Sequence, residues 1–261
     1  MDEEDGGMPG VVAELGLRCT SVAEVAYGNA EVQPTVCIPG AGVIRTSVLA
    51  TWADVLTGAV AGRAINPRIP LTLDLEVQLR GLAREGDRIA ASATVLKAGR
   101  TVVVCEARFW DERSGTPIAH SIASFIASPD PAHVFDGGFP DLSGMSGSLS
   151  VPLARRVGVI VRKPGTVEMP RRRDALNATG AIQGGIVALA AEEAAMSLVA
   201  HPTVASSLNM RYLRPITTGP ALAQSTGDEK MSVVHLVDAG TDKLAAIATV
   251  RLGDAQSCRR T

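Results

Sequence analysis

The chain has 261 residues, 46% of them hydrophobic and 20% charged, so it can bury one large core or two of ordinary size. A net charge of -2 and an aromatic content of 3% argue against a nucleic-acid-binding protein or one bound to an anionic membrane. Four scattered cysteines without metal-ligand spacing, and no secretory signal or membrane span, are typical of a cytoplasmic protein.

The first half of the chain alternates between strand and helix patterns. "SVAEVAYGNAEVQPTVCI" has strand character and predicts a hairpin with its turn at Gly28-Asn29. A helix is predicted from about Thr46 to Ala61, with Thr46 or Ser47 as its cap. "LTLDLEVQL" predicts the next strand, and three more strands are predicted between Asp87 and Ser128.

The second half repeats this order after a segment rich in Pro, Gly, Ser and Asp. "RRVGVIVRKPGTVEMP" predicts a hairpin and "QGGIVALAAEEAAMSLVA" a helix stopped by Pro202. Strand structure is predicted for the three later segments "ASSLNMRYLRPITTG", "ALAQSTGDEKMSVVHLVDAG" and "DKLAAIATVRL". Asp54 and Glu192 stand 138 positions apart, and Arg80 and Arg214 stand 134 apart. An offset that stays within a few residues from helix to strand indicates two copies of one unit.

Both predicted helices are apolar on nearly every side, which favours helices wrapped by sheet. Asp54 is the only charged residue between Thr46 and Gly62. The sequence therefore predicts an α+β fold of two tandem units, each an antiparallel sheet around a central helix. The predicted division begins with a flexible N-terminus (residues 1–19) and a first unit (20–127). A linker (128–150), a second unit (151–253) and a C-terminal tail (254–261) follow.

The two helix starts share a spacing. They read "RTSVLATWAD" at residues 45–54 and "QGGIVALAAE" at residues 183–192, and each has an acid nine residues after its first position. With the later "LNMRYLRPITTG", these motifs make the chain resemble the hotdog-fold acyl-CoA thioesterases, in particular the phenylacetate-pathway type. That family shows His-Gly-Gly at the helix start. Here Gln183 replaces the histidine in the second half, and Arg45, Thr46 and Ser47 replace the whole motif in the first.

The resemblance implies a double-hotdog enzyme that hydrolyses acyl-CoA without a metal or redox cofactor. It implies composite sites, with the acid of one unit opposite the helix start of the other. The better site joins Asp54 with Gln183 and the backbone amide of Gly184, which would form an oxyanion hole. The reciprocal site would join Glu192 with Arg45 and the amide of Thr46.

Other candidate substrate-binding residues have simpler interpretations beside the functional one. Gly185 would serve close packing, Thr57 would bond its own helix backbone, Asn177 would form a turn, and the basic residues would lie on a solvated surface. The remaining candidates for contact with the substrate are Ser47, Arg211 and Arg214.

Two other functions are compatible with the sequence. A double-hotdog chain that binds acyl-CoA without hydrolysing it is the main alternative, because the first-half motif has changed. An enoyl-CoA hydratase would need a neighbouring Asp and His, and the sequence has no such pair near either helix. The tandem arrangement leaves a homo-oligomer of whole chains possible, as pairs or as trimers.

Overall fold

The computed structural model describes residues 10–22, 24–135, 147–201 and 203–255. Its helices are α1 (Thr46–Ala64), α2 (Leu153–Val157) and α3 (Gly184–Met196). The strands of the first half are β1 (Arg18–Val22), β2 (Val25–Glu31), β3 (Pro70–Leu79), β4 (Arg88–Ala98), β5 (Val103–Asp111) and β6 (Pro117–Ala127). Those of the second half are β7 (Ile160–Lys163), β8 (Thr166–Met169), β9 (Thr203–Tyr212), β10 (Ala221–Gly227), β11 (Met231–Asp238) and β12 (Lys243–Asp254).

These strands form one antiparallel sheet in the order β1-β2-β4-β5-β6-β3-β9-β12-β11-β10-β8-β7. From each edge of the sheet to its middle, the six strands of that half lie in the same order: first, second, fourth, fifth, sixth and third along the chain. The two halves join where β3 pairs with β9, in a register that places Leu75 opposite Met210. The predicted α+β fold of two tandem hotdog units is therefore confirmed.

Each long helix packs on the sheet of its own half, α1 against β2 to β6 and α3 against β8 to β12. Both helices are mostly buried because nearly every side faces a neighbour, as their apolar sequences require. The helices also pack against each other, and Gly185 makes this approach possible. A Cβ atom at Gly185 would lie 2.4 Å from the Cα atom of Thr51. No helix in the described ranges has the length and hydropathy of a membrane span.

Three local predictions for the first half differ from the structure. Gly28-Asn29 forms no turn but lies inside β2, where Leu17 and Leu56 cover Gly28 so closely that a Cβ atom would be 2.9 Å from Leu17 Cδ1. The helix continues three residues past Ala61 to Ala64. Neither Thr46 nor Ser47 caps it, because Arg45 occupies the N-cap position and makes no side-chain capping bond.

The second half also differs from the prediction in detail. The short helix α2 precedes the β7-β8 hairpin where only a hairpin was predicted. Helix α3 ends at Met196, and Pro202, the predicted stop, lies outside the described residues. Much of the predicted linker and most of the C-terminal tail also lie outside the described residues, as does Cys258.

The N-terminal segment is only partly described. Residues 1–9 lie outside the described ranges. Residues 10–19, predicted to belong to a flexible terminus, instead pack on the fold. Ala13–Leu15 forms a single 3-10 turn with Leu15 buried, and β1 begins at Arg18.

Gly185→Ala should destabilise the protein, because its methyl group would overlap the backbone of α1. An overpacked core substitution costs about 1–3 kcal/mol, more than the roughly 1 kcal/mol that alanine gains over glycine in a helix. Gly58→Ala is the matched control, since its Cβ atom would meet only Phe125 Cε1 at 3.9 Å. Chemical denaturation should show a lower free energy of unfolding for Gly185→Ala and an equal or higher one for Gly58→Ala. Equal stability of Gly185→Ala and wild type would contradict the helix contact.

Candidate active site

A cavity of about 650 Å³ lies between the two halves, beside both long helices. Its walls are mainly apolar and come from α1, the start of β3, the end of β6, the start of α3 and the end of β9. Apolar side chains such as Val55, Leu71, Phe125 and Val187 line it. Its volume falls within the range of small-molecule sites. The polar groups in its wall are few, and several of them meet around Asp54.

Asp54 lies on α1 at the cavity wall and binds two uncharged donors. Thr72 Oγ1 donates to its Oδ1 at 2.8 Å, and Gln183 Nε2 donates to its Oδ2 at 2.6 Å. Thr72 belongs to β3 of the same half, whereas Gln183 precedes α3 of the other half. Among the described residues no cation pairs with this carboxylate. Asp54 is thus held in place by hydrogen bonds while its charge stays uncompensated.

The start of α3 faces the same carboxylate. Gln183 is the N-cap residue, and its Oε1 accepts a hydrogen bond from the Ile186 amide at 3.0 Å while its Nε2 binds Asp54. Within the described chain, the amides of Gly184 and Gly185 have no acceptor. A Cβ atom at Gly184 would lie 3.3 Å from Asp54 Oδ2, so glycine keeps the space between carboxylate and helix start open.

Tyr212, at the end of β9, completes this corner of the cavity. Its hydroxyl donates to the carbonyl oxygen of Gly184 at 2.8 Å. Burial and the neighbouring charge of Asp54 raise the pKa of Tyr212 well above its ordinary value of 10.0. The phenol therefore stays protonated and remains a donor to the first turn of α3.

Burial raises the pKa of Asp54 from 3.8 to about 6, although the hydrogen bond from Thr72 acts in the opposite direction. Desolvation disfavours the charged carboxylate, and no cation in the described part of the chain offsets this cost. Such a carboxyl group is ionised at neutral pH and still accepts a proton readily.

The related position in the other half is built differently. Glu192 of α3 is fully buried, and its Oε1 accepts from the amides of Thr46 and Ser47 at 2.9 and 3.2 Å. Its Oε2 accepts from the Ser47 hydroxyl at 2.6 Å and from Arg45 at 3.3 Å. Arg45 also pairs with Glu193 at 2.6 Å. The carboxylate of Glu192 thus binds the start of α1 directly, and none of these residues lines the large cavity.

Three further predicted residues have structural partners. Gly185 lies at the helix contact described above. Thr57 is buried and donates to the carbonyl oxygen of Ala53, so it bonds its own helix. Asn177 lines the cavity, and its side-chain oxygen accepts from the Thr179 amide at 3.0 Å, as in a turn.

The two predicted arginines differ in position. Arg214 lines the cavity and is exposed, and one of its nitrogens donates to the carbonyl oxygen of Leu244. Arg211 points elsewhere and pairs with Asp74 at 3.1 Å. The structure therefore brings Asp54, Gln183, Gly184, Asn177 and Arg214 to one cavity and leaves Arg211 outside it.

Two residues of this site were not predicted. In the sequence, Thr72 looks like any polar residue of an alternating strand. Tyr212 looks like any aromatic residue of a buried strand. The one available signal for Tyr212 was its place inside "RYLR", the motif that ends the second copy's strand. Both contacts depend on the position of a strand relative to the helix packed on it, and the spacing of residues in the sequence does not show this position.

Comparison with known proteins supports the same fold. Residues 41–118 match the model of the thioesterase superfamily. No curated protein matches the chain. The 12:0-ACP thioesterase from Umbellularia californica is 9% identical with a TM-score of 0.65, over 90% of this chain and 99% of that one. The tesB protein of Mycobacterium avium subspecies paratuberculosis is 11% identical with a TM-score of 0.64, over 93% and 96%.

A third solved structure, the acyl-ACP thioesterase from Bacteroides thetaiotaomicron, is 12% identical with a TM-score of 0.58, over 88% of this chain and 98% of that one. At these identities the likeness establishes the fold alone. Together with the superfamily match it confirms the resemblance to the hotdog thioesterases. The match supports thioester hydrolysis as the general class of reaction.

Asp54→Asn should stabilise the protein at neutral pH. Because the folded-state pKa of Asp54 lies near 6 and its ordinary value is 3.8, the folded protein holds a proton that the unfolded chain releases between these values. Wild-type stability therefore falls as pH rises through this window, and asparagine removes that loss. Denaturation at several pH values should give a stability difference near zero below about pH 3 that grows to about 3 kcal/mol above about pH 7. A difference that does not change with pH would contradict the raised pKa.

Proposed function

We propose that the protein is a cytoplasmic acyl-CoA thioesterase whose principal site combines Asp54 with the glycine-bearing start of α3. One observation carries the proposal. An ionisable carboxylate that has no cation partner within the described ranges lies 3.3 Å from the Cβ position of Gly184, at the wall of a large apolar cavity. The superfamily match and two structural relatives, both named as acyl-ACP thioesterases, support hydrolysis of an acyl thioester.

In this proposal the acyl chain occupies the apolar cavity and the thioester carbonyl lies at the start of α3. The carbonyl oxygen gains negative charge when it is attacked, and the amides of Gly184 and Gly185 are the donors that stabilise it. Removing one such donor typically costs about 100-fold to 1000-fold in rate. The positive end of the helix dipole adds to this stabilisation.

Asp54 acts from the other side of the carbonyl. As general base it takes a proton from water while the oxygen of that water bonds to the carbonyl carbon. The resulting intermediate expels the thiolate, which receives the proton and leaves as free thiol, and the acyl group leaves as the acid. As nucleophile, Asp54 would instead bond to the carbonyl carbon while the C–S bond breaks and the thiolate leaves, which forms a mixed anhydride. Water then cleaves the anhydride, which restores the Asp54 carboxylate, releases the acyl group as the acid and supplies the proton that the thiolate takes up. Thr72 and Gln183 hold the carboxylate in place in either route.

The contact made by Glu192 explains why we propose one principal site. A carbonyl oxygen could bind the amides of Thr46 and Ser47 only if the Glu192 carboxylate left them. Moving a buried carboxylate away from two amides, a hydroxyl and an arginine is costly. The first-half motif therefore suits a structural role, which is consistent with its lack of glycine.

The binding site for the coenzyme A part of the substrate is proposed from the charge and position of the residues at the cavity. Arg214, exposed at the cavity, is suited to a phosphate group of coenzyme A. Asn177, also in the cavity wall, would contact the substrate near the start of α3. Substrate hydrolysis in this arrangement uses side chains and backbone amides, and assembly of whole chains into a homo-oligomer is compatible with it.

Asp54→Asn should lower kcat/KM by at least about 100-fold, because it removes the group that activates water or attacks the thioester. Glu192→Gln, the matched acid-to-amide change in the other half, should stay within about fivefold of wild type once its folded fraction is confirmed by circular dichroism. Release of free thiol from a panel of acyl-CoAs measures both. A larger loss for Glu192→Gln would assign catalysis to the other site. Binding without thiol release by wild type would favour the non-catalytic binding protein.

The pH profile gives an independent test. Since Asp54 must be ionised to act, kcat/KM should rise about tenfold per pH unit below pH 6 and level off above it. An activity that declines as pH passes upward through 6 would mean that a protonated group is required, and would contradict the role given to Asp54.

A further inference from the structure

A short N-terminal segment forms part of the cavity wall. We call residues 10–16 the strap. Val11 and Leu15 of the strap are buried in the core, at 0% and 1% exposure, whereas Gly10, Val12 and Ala13 line the cavity. Val12 is only partly buried, because the cavity lies beside it. The strap therefore presents a side chain to the space in which we place the acyl group.

The strap is fixed by residues of the second half of the chain. Arg156 of α2 binds the Glu14 carboxylate through two nitrogens, at 2.8 and 2.6 Å, and also pairs with Asp174 at 2.8 Å. The Val11 amide donates to the carbonyl oxygen of Asp174 at 2.8 Å, and the Gly147 amide donates to that of Ala13 at 3.0 Å. A two-nitrogen arginine–carboxylate pair restrains orientation as well as distance.

The other end of the strap is attached to the first half. Leu17, next after the strap, is buried and lies with Leu56 of α1 over Gly28. The strap thus runs between the two units, with an apolar contact to one and a polar clamp to the other. Its backbone is held on both sides, so a change in the side chain at position 12 changes the cavity rather than displacing the segment.

We propose that the strap is a specificity-determining wall of the acyl site, in which Val12 limits the length of acyl chain accepted and the Glu14–Arg156 pair holds the wall in position. This inference rests on the proposed function, since it assigns the cavity to the acyl group. Val12 is the strap residue with the largest side chain among those that line the cavity. Each buried methylene strengthens apolar binding by about fourfold, so loss of room for two methylenes should weaken binding by roughly tenfold or more.

The test uses full-length protein and saturated acyl-CoAs of short, medium and long chain. Val12→Phe should raise KM and lower kcat/KM about tenfold or more for the longest substrate that wild type accepts, and leave the shortest within about twofold. Val12→Ala should shift the preference toward longer chains. In both variants kcat for short substrates should stay near wild type, because Asp54 and α3 are unchanged. Val22→Phe, at an exposed position on β1, is the control.

The clamp has its own variant. Glu14→Gln removes the ionic pairing with Arg156 and should flatten the dependence of KM on chain length, with kcat for the shortest substrate unchanged. If both Val12 variants fold and keep the wild-type length profile in KM, the strap is not a wall of the acyl site and the inference fails.

A binding measurement separates this inference from the proposed function. Free fatty acids of the same lengths are titrated against a fluorescent apolar dye bound in the cavity. If wild type releases no thiol from any substrate, the proposed function fails. A length-dependent loss of fatty-acid binding in Val12→Phe would then still support the wall, and unchanged binding would overturn it.

Discussion

The contact between α1 and α3 is the constraint on which the site depends. Two helices that are each wrapped by half of a sheet meet closely, the first turn of α3 against the second turn of α1, because Gly185 lies against Thr51 without a side chain. Each helix has its acid nine residues after its N-cap, so this approach places the acid of each helix at the start of the other. The pairing of β3 with β9 joins both halves in one sheet, so the sheet also fixes the position of one helix relative to the other.

The two equivalent carboxylates, Glu192 and Asp54, differ in how far their charge is compensated by their neighbours. Glu192 receives hydrogen bonds from two amides, a hydroxyl and an arginine, so its charge is well compensated in a closed interior. Asp54 receives two hydrogen bonds from uncharged groups and adjoins a cavity. The first arrangement is suited to holding two helices together. The second leaves a carboxylate with a raised pKa, which costs stability and is typical of a functional site.

Much of the architecture could be predicted from the sequence because it depends on periodicity and repetition. The alternating strands, the two apolar helices and the repeated order were enough to predict a tandem fold, whereas the composite sites followed from the resemblance to the hotdog thioesterases. What failed was set by tertiary packing. Gly28-Asn29 resembles a hairpin turn, yet Gly28 is in a strand because Leu17 and Leu56 pack over it. Thr57 bonds its own helix, in line with its simpler interpretation, and the hydroxyl that reaches Asp54 belongs to Thr72 on β3, which the sequence did not single out.

The central claim is that the Asp54 carboxylate and the start of α3 act on the same thioester carbonyl. The most direct test is a crystal structure of the Asp54→Asn protein with an uncleaved acyl-CoA. The carbonyl oxygen should lie within about 3.2 Å of the amide of Gly184 or Gly185, with the side chain at position 54 on the opposite side of the carbonyl carbon. A thioester bound away from α3, or bound at Thr46 and Ser47 with Glu192 displaced, would contradict it.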